Sequence, residues 1–207
     1  FASIFGHESF DMKAVSVAAL QPGAGFYLPP ETPATTIGIL PIALDLGSWN
    51  ALLDQYYNDI DGGYEDEYGW VQQEGVYSHG DGIPEINIYP DLNSGHAPGN
   101  RGTVDLGSPN NSTKDLKRQI LYGLNSYDMS FFPNNRIEFK SSGALYLNGD
   151  TGISAGIQAP LKSIIGQVRA IPVFIEVTGQ GNNAVYTIVK FVGVRILDVR
   201  LSGGPSR

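Results

Sequence analysis

The chain has 207 residues, 42% hydrophobic and 16% charged, a balance that excludes a disordered polymer and permits one packed domain. A net charge of −8 disfavours nucleic acid or an anionic membrane as partner, and zero cysteines exclude disulfides and thiolate metal sites. No apolar run reaches the roughly 18 residues that a membrane span needs.

The charge is divided along the chain. Residues 1–100 hold fourteen carboxylates against one lysine, a balance of −13; from Arg101 onward twelve basic residues face seven acidic ones, a balance of +5. Between Lys13 and Arg101 there is no lysine or arginine at all. Such a split implies halves that face each other, halves that face a neighbouring subunit, or an acidic part that binds cations. The 26 glycines and 13 prolines imply many turns and long ordered loops. Phe1 stands where an initiator methionine is expected, so the chain reads as a processed or excised product with an anchor or signal upstream.

In chain order, residues 12–20 read as a first strand and Pro22 to Pro33 as an extended connector. Ile37–Leu46 is an apolar run of strand length broken by Pro41. Ser48 is the expected N-cap of a short helix whose inward stripe is Trp49, Leu52, Leu53, Tyr56 and Tyr57. Residues 58–82 dissolve into Asp, Gly, Tyr and Glu and read as a long surface loop. Glu85 to Tyr89 alternates at period two, and Thr103–Leu106 is another short strand. Ser112, with Asp115 three residues on, opens the clearest helix, with Leu116, Ile120, Leu121 and Leu124 inward, Lys114, Lys117 and Arg118 in solvent, and Gly123 or Asn125 at its end.

Ile137–Phe139 and Ala144–Leu147 bracket Ser141-Ser142-Gly143 as a hairpin. Ala159-Pro160 starts a short helix, with Leu161, Ile164 and Ile165 inward and Gly166 past its end. Val168–Val177 reads as a central buried strand, and Val185–Leu201 as a long strand whose phase changes at a bulge near Gly193. The sum is one β-rich α+β domain with a mostly antiparallel mixed sheet, two or three short helices, and an acidic Gly/Tyr-rich excursion at about 58–83.

Several residue groups invite a chemical reading. Asp59, Asp61, Glu65, Asp66 and Glu67, with Gly62 and Gly63 between them, offer hard oxygen donors for Ca²⁺, but not at EF-hand spacing. Asp81, Asp91 and Asp105 are further donors for the same ion, and a solvated loop that pairs with a basic neighbour is the plainer alternative. Tyr56, Tyr57, Tyr64, Tyr68, Trp70, Tyr77 and Tyr89 form an aromatic-plus-acidic region able to stack on a sugar or anchor a protein. Asp150-Thr151-Gly152 with Asp105 resembles an aspartic dyad in residue type only. Asn148-Gly149 stand where that chemistry needs bulky apolar residues, so a turn with Asp150 capping backbone donors is the expectation. His7, His79 and His96 lack zinc spacing, and Ser78-His79-Gly80-Asp81 is too contiguous to converge as a triad.

Pro98-Gly99-Asn100-Arg101-Gly102-Thr103-Val104-Asp105-Leu106-Gly107 precedes the 114–124 helix. Leu147-Asn148-Gly149-Asp150-Thr151-Gly152, Ile164-Ile165-Gly166-Gln167, Ile171-Pro172-Val173-Phe174 and the closing strand follow it. This order resembles the extracytoplasmic part of TadE/TadG-like tight-adherence (Flp) pilus-assembly proteins, over roughly the second half of the chain plus Ile37–Leu46. The resemblance implies a bacterial cell-envelope or extracellular domain, carried by an N-terminal membrane helix outside this sequence. It also implies a non-enzymatic role in surface assembly. The expected partners are other protein subunits, including a second copy. The acidic region of one surface is then expected to meet a basic surface at Lys114–Lys140 or Arg195–Arg200, within the molecule or on a neighbour. A Ca²⁺-dependent carbohydrate- or surface-binding module centred on the acidic aromatic loop is the alternative.

Overall fold

The computed structural model describes residues 25–30, 34–58, 65–88, 102–107 and 112–201. In chain order its strands are β1 (Gly25–Tyr27), β2 (Leu44–Asp45), β3 (Gly69–Val71), β4 (Gly75–Tyr77), β5 (Thr103–Val104), β6 (Arg136–Glu138), β7 (Leu145–Asp150), β8 (Val168–Thr178) and β9 (Ala184–Arg195). The α-helices are α1 (Leu46–Tyr57), α2 (Thr113–Tyr122), α3 (Ser126–Met129) and α4 (Gln158–Lys162). The protein is α+β and mostly β.

Five strands form the main sheet in the order β2-β8-β9-β7-β5, with β2 parallel to β8 and the other pairs antiparallel. The sheet curls until its edges meet. Leu40 N–H donates to the Ala170 carbonyl and Ala170 N–H to the Gly38 carbonyl, both at 2.8 Å. On the other side of the same segment, Ala43 N–H donates to Gly102 and Val104 N–H to Pro41, both at 3.1 Å. Pro41 cannot donate, but its carbonyl accepts, so the proline that interrupts the apolar run leaves the closure intact.

Alternation along this segment separates two cores. Ile39 and Ala43 join an inner cluster with Val104, Leu145, Leu147, Phe174, Ala184, Tyr186 and Ile188, drawn from every wall of the curl. The β1–β6 ribbon and the α3 region add Leu28, Leu124, Met129 and Ile137. Leu40, Ile42 and Leu44 join an outer cluster with Leu116 and Ile120 of α2, Leu161 of α4, and Ile157, Ile164, Ile171 and Ile196.

The β8–β9 ladder skips Val189 on one strand and then Ile175 on the other, and the two irregularities offset each other. Ahead of Val189 the inner cluster takes Ala184, Tyr186 and Ile188; beyond it Phe191 packs inward while Val192 and Val194 pack on the outer cluster. The phase change read from the sequence therefore sits at Val189. Gly193 stays in register opposite Ala170.

Other expectations are corrected. The connector is partly a strand, since β1 pairs with β6. The 137–147 hairpin does not form as one ladder: the turn closes through Gly143 N–H to Lys140, but β6 goes to β1 and β7 to β9 and β5. Within the 58–82 loop, β3 and β4 form a hairpin, whereas the 85–88 segment forms an isolated bridge, Glu85 to Glu65, with Ile86 and Ile88 packed on the outer cluster. Asp45, not Ser48, caps α1: its carboxylate accepts from Ser48 N–H and from the Ser48 hydroxyl. Leu52 is the buried residue of that helix, while Tyr56 and Tyr57 are exposed. Ile165 is 37% exposed rather than inward. The strand expected at 12–20 and Tyr89 lie outside the described residues.

α2 begins as expected, with the Ser112 hydroxyl accepting from Asp115 N–H, and its C-cap is Gly123. Arg118, expected in solvent, is instead committed. Asp128 is 1% exposed and accepts from Arg118 Nη1 at 2.8 Å, from Arg118 Nη2, from Gln119 Nε2 at 3.1 Å and from Asn125 N–H at 2.9 Å. Gln119 also donates to the Leu106 carbonyl at 2.7 Å, so one carboxylate joins α2, α3 and the end of β5. Its pairing with Arg118 raises the guanidinium pKa. Asp128→Ala leaves that cation and several donors unpaired and is expected to cost about 3 kcal/mol in urea unfolding; Asp128→Asn, which keeps one acceptor, is expected to cost less.

Candidate functional site

The acidic region is an ordered hairpin whose carboxylates bind its own backbone. Asp66 accepts from Asp81 N–H at 3.0 Å and Gly82 N–H at 2.9 Å. Asp81 accepts from Trp70 N–H at 3.2 Å and Ile83 N–H at 3.1 Å, and Glu85 from Tyr68 N–H at 2.7 Å. Glu65 holds the Asn87 side-chain amide at 2.6 Å. Loop segments without a ladder have orphan amides, and short acidic side chains satisfy them. Burial, with Asp66 and Glu67 as like-charged neighbours, raises the Glu85 pKa against the lowering effect of its amide bonds.

The hairpin docks on the basic half through rings. The Arg195 guanidinium lies 3.6 Å from the Trp70 ring centroid and donates to the Gly166 carbonyl at 2.6 Å. Arg200 Nη2 donates to the Tyr68 hydroxyl at 3.1 Å. Gly166 has φ +85, and a Cβ there would stand 3.3 Å from Trp70 Nε1, so glycine admits both the turn and the ring. The ion pairs among the described residues, Arg118–Asp128 and Arg200–Asp198, both lie within the C-terminal half. Among the described residues, the arginines of the basic half meet the hairpin through a cation–π contact and a hydroxyl.

Opposite chemistry appears on α2 and α4, where Lys114, Lys117 and Lys162 are exposed. Exposed rings run from the last residue of α2 to just past the end of α3, an aromatic ledge: Tyr122 is 67% exposed, Tyr127 59% and Phe131 45%, with the last two rings edge to face at 5.2 Å. Lys162 and the ledge were not singled out from sequence. Their signal was an exposed position in a short helix and aromatic residues just past a helix end, neither distinguishable from core without the packing.

The Asp105 and Asp150 segments meet because β5 and β7 pair, Thr103 opposite Asp150, and Asp105 N–H donates to the Asn148 carbonyl at 2.7 Å. Gly102 and Gly149 permit this close approach, since a Cβ at either would collide with a carbonyl of the partner strand. Burial, then the Asp150 charge, pushes the Asp105 pKa up to about 6, and one of its carboxyl oxygens is buried without a partner. Burial and the same charge push Tyr186 to about 12; its hydroxyl donates to the Asp150 carbonyl at 3.3 Å. Asp150 Oδ1 accepts from Gly152 N–H at 3.2 Å, a turn cap, with Thr151 in the bend. A cleft of about 270 Å³ opens beside it, lined by Thr103, Thr113, Leu116, Asp150, Gly152, Ile153 and Ser154. Its carboxylate and hydroxyls can hold a small polar group, but Asp105 is not on its wall.

Of the residues expected to bind Ca²⁺, Glu65, Asp66 and Glu67 stand in the hairpin, while Asp59 and Asp61 lie outside the described residues, as do Tyr64, Pro98, Gly99, Asn100, Arg101, His7 and His96. Among the described residues no group of three or more His, Asp or Glu side chains could hold a metal ion. No described helix is long and apolar enough to cross a membrane. The chain matches no protein-family model, no curated protein and no solved structure, so the functional argument rests on its own surfaces.

Two outcomes follow from this geometry. Trp70→Ala is expected to cost the hairpin about 2 kcal/mol of local stability, read as faster amide exchange at residues 69–77 with the β8–β9 amides unchanged. Asp105 holds its proton more tightly folded, at about 6, than at the ordinary 3.8. Its contribution to stability therefore rises as pH falls through 6 and levels off below 3.8. The melting temperature of the wild type, minus that of Asp105→Asn, should increase over that window.

Proposed function

We propose that this chain is the extracytoplasmic part of a bacterial surface- or pilus-assembly protein, that it is not an enzyme, and that it works by holding other protein subunits. The observation that carries the reading is the aromatic ledge of Tyr122, Tyr127 and Phe131 beside the lysines of α2. Tyrosine and phenylalanine are costly to leave in water, and at protein contacts they supply large buried area at small loss of side-chain freedom. The ledge stands on a rigid base, since the Asp128 carboxylate ties α3 to α2 from below. A preordered surface loses less entropy on binding. The order of motifs, which resembles that of TadE/TadG-like proteins, suggests the setting, a bacterial envelope assembly.

A photo-crosslinking residue at Tyr127, introduced in the bacterium that makes the protein, is expected to trap a specific envelope protein. Tyr127→Ser with Phe131→Ser should lower surface-fibre counts at least threefold, which corresponds to about 0.6 kcal/mol or more of lost contact energy, while melting within a few degrees of wild type. Normal fibre counts together with no specific adduct at position 127 would sink the reading.

A further inference from the structure

We infer that copies of this chain associate head to tail, the acidic hairpin of one copy seating on the lysine face of α2 and α4 of the next. This rests on the protein-contact reading and names its partner as a second copy. The hairpin segment 65–88 carries Glu65, Asp66, Glu67, Glu74, Asp81 and Glu85 and no lysine or arginine. Amide hydrogen bonds aim the carboxylates of Asp66, Asp81 and Glu85 without neutralising them, because a backbone N–H is a neutral donor. The result is a fixed anionic surface whose side chains lose little further freedom on binding.

The complementary surface lies elsewhere on the same molecule. Lys114, Lys117 and Lys162 are exposed; the first two stand three residues apart on α2 and so share one helix face, and a Cβ built on Gly156, just before α4, would stand 4.0 Å from Lys117 Cε, so the chain enters α4 beside that face. Asp115, the one acid on α2, stands at the helix start and accepts from the Ser112 hydroxyl, so three lysines face one acid across α2 and α4, and Arg118 is held by Asp128. Among the described residues no ion pair joins the hairpin to these lysines. The hairpin's seat on its own body is already defined by Arg195 and Arg200. Its outer carboxylates and the lysine face are thus both directed at other molecules, and each fits the other in sign.

Two different surfaces make the contact heterologous. Each added copy presents a fresh hairpin and a fresh lysine face, so association is open-ended unless the rotation closes a ring. Sedimentation velocity on the wild type is expected to show mass-action growth at about 20 mM salt and monomer at about 0.5 M, where screening is within about 5 Å. Glu67→Lys with Glu74→Lys cuts the charge of the 65–88 segment from −6 to −2 and sets lysines against the lysine face, and Lys117→Glu with Lys162→Glu sets glutamates against the hairpin. Each pair should weaken association at least tenfold while melting like wild type. Mixed one to one, the new lysines of one variant meet the new glutamates of the other, and association should return. A wild type monomeric at low salt, a closed dimer indifferent to both reversals, or a mixture no better than its parts would each overturn the inference. If the wild type is monomeric and Tyr127 still crosslinks to another envelope protein, the self-contact is wrong and the protein-contact reading stands.

Discussion

The architecture depends on a backbone segment, residues 38–45, that hydrogen-bonds on both of its sides. One side serves Ala170 in β8; the other serves Gly102 and Val104 at the far edge of the sheet. Exposed edges are costly in solvent and invite pairing with other chains, and joining them removes that exposure where they meet. Closure also sorts the side chains. Alternate residues of this one segment enter an inner and an outer core, so a single stretch anchors both. From the α-helices the inner core takes only Met129 of α3, and α2 and α4 cover the outside.

The same closure places the charged residues. At the end of the segment, Asp45 leaves the sheet and caps α1. Beyond Val104 the chain turns at Leu106, whose carbonyl is bound by Gln119, and so enters the Asp128 network. That carboxylate is buried and fully satisfied, a state in which a charge can be retained inside a fold. Asp105, two residues from Thr103, is the contrary case: one oxygen has no partner and the group is pushed toward neutrality. Neighbouring carboxylates thus differ because one received donors and the other received apolar surroundings and a like charge.

The uneven charge of the two halves does not produce ion pairs between them among the described residues. The hairpin amides take up the oxygens of Asp66, Asp81 and Glu85, and the arginines of the other half meet the ring of Trp70 and the hydroxyl of Tyr68 instead. A guanidinium stacked on an aromatic face keeps its edge free to donate, as Arg195 does to Gly166. This division of labour leaves net negative charge on one exposed surface and net positive charge on another.

Features decided within a few residues were legible in the chain. The Ser112/Asp115 start of α2, its Gly123 end, and the β-branched runs of β8 and β9 follow from capping and strand preference, which act locally. The phase change in β9 was legible too, but its position was not, because a bulge is located by the partner strand. Ser48 was misread because Asp45, three residues earlier, sits at the end of a strand whose register is set by Val173 and Phe174. The turn at 141–143 is local and formed; the partners of its arms were not, since β1 and β9 compete for them from distant sequence. By itself the sequence determined the elements, the charge division and the α+β class, all of which depend on composition and neighbours along the chain. Only the tertiary structure decided that the sheet closes, that Arg118 and Arg195 are engaged while Lys114, Lys117 and Lys162 stay exposed, and which aromatic rings face water. Those outcomes turn on which distant backbone and side-chain groups meet, and spacing along one chain does not encode that.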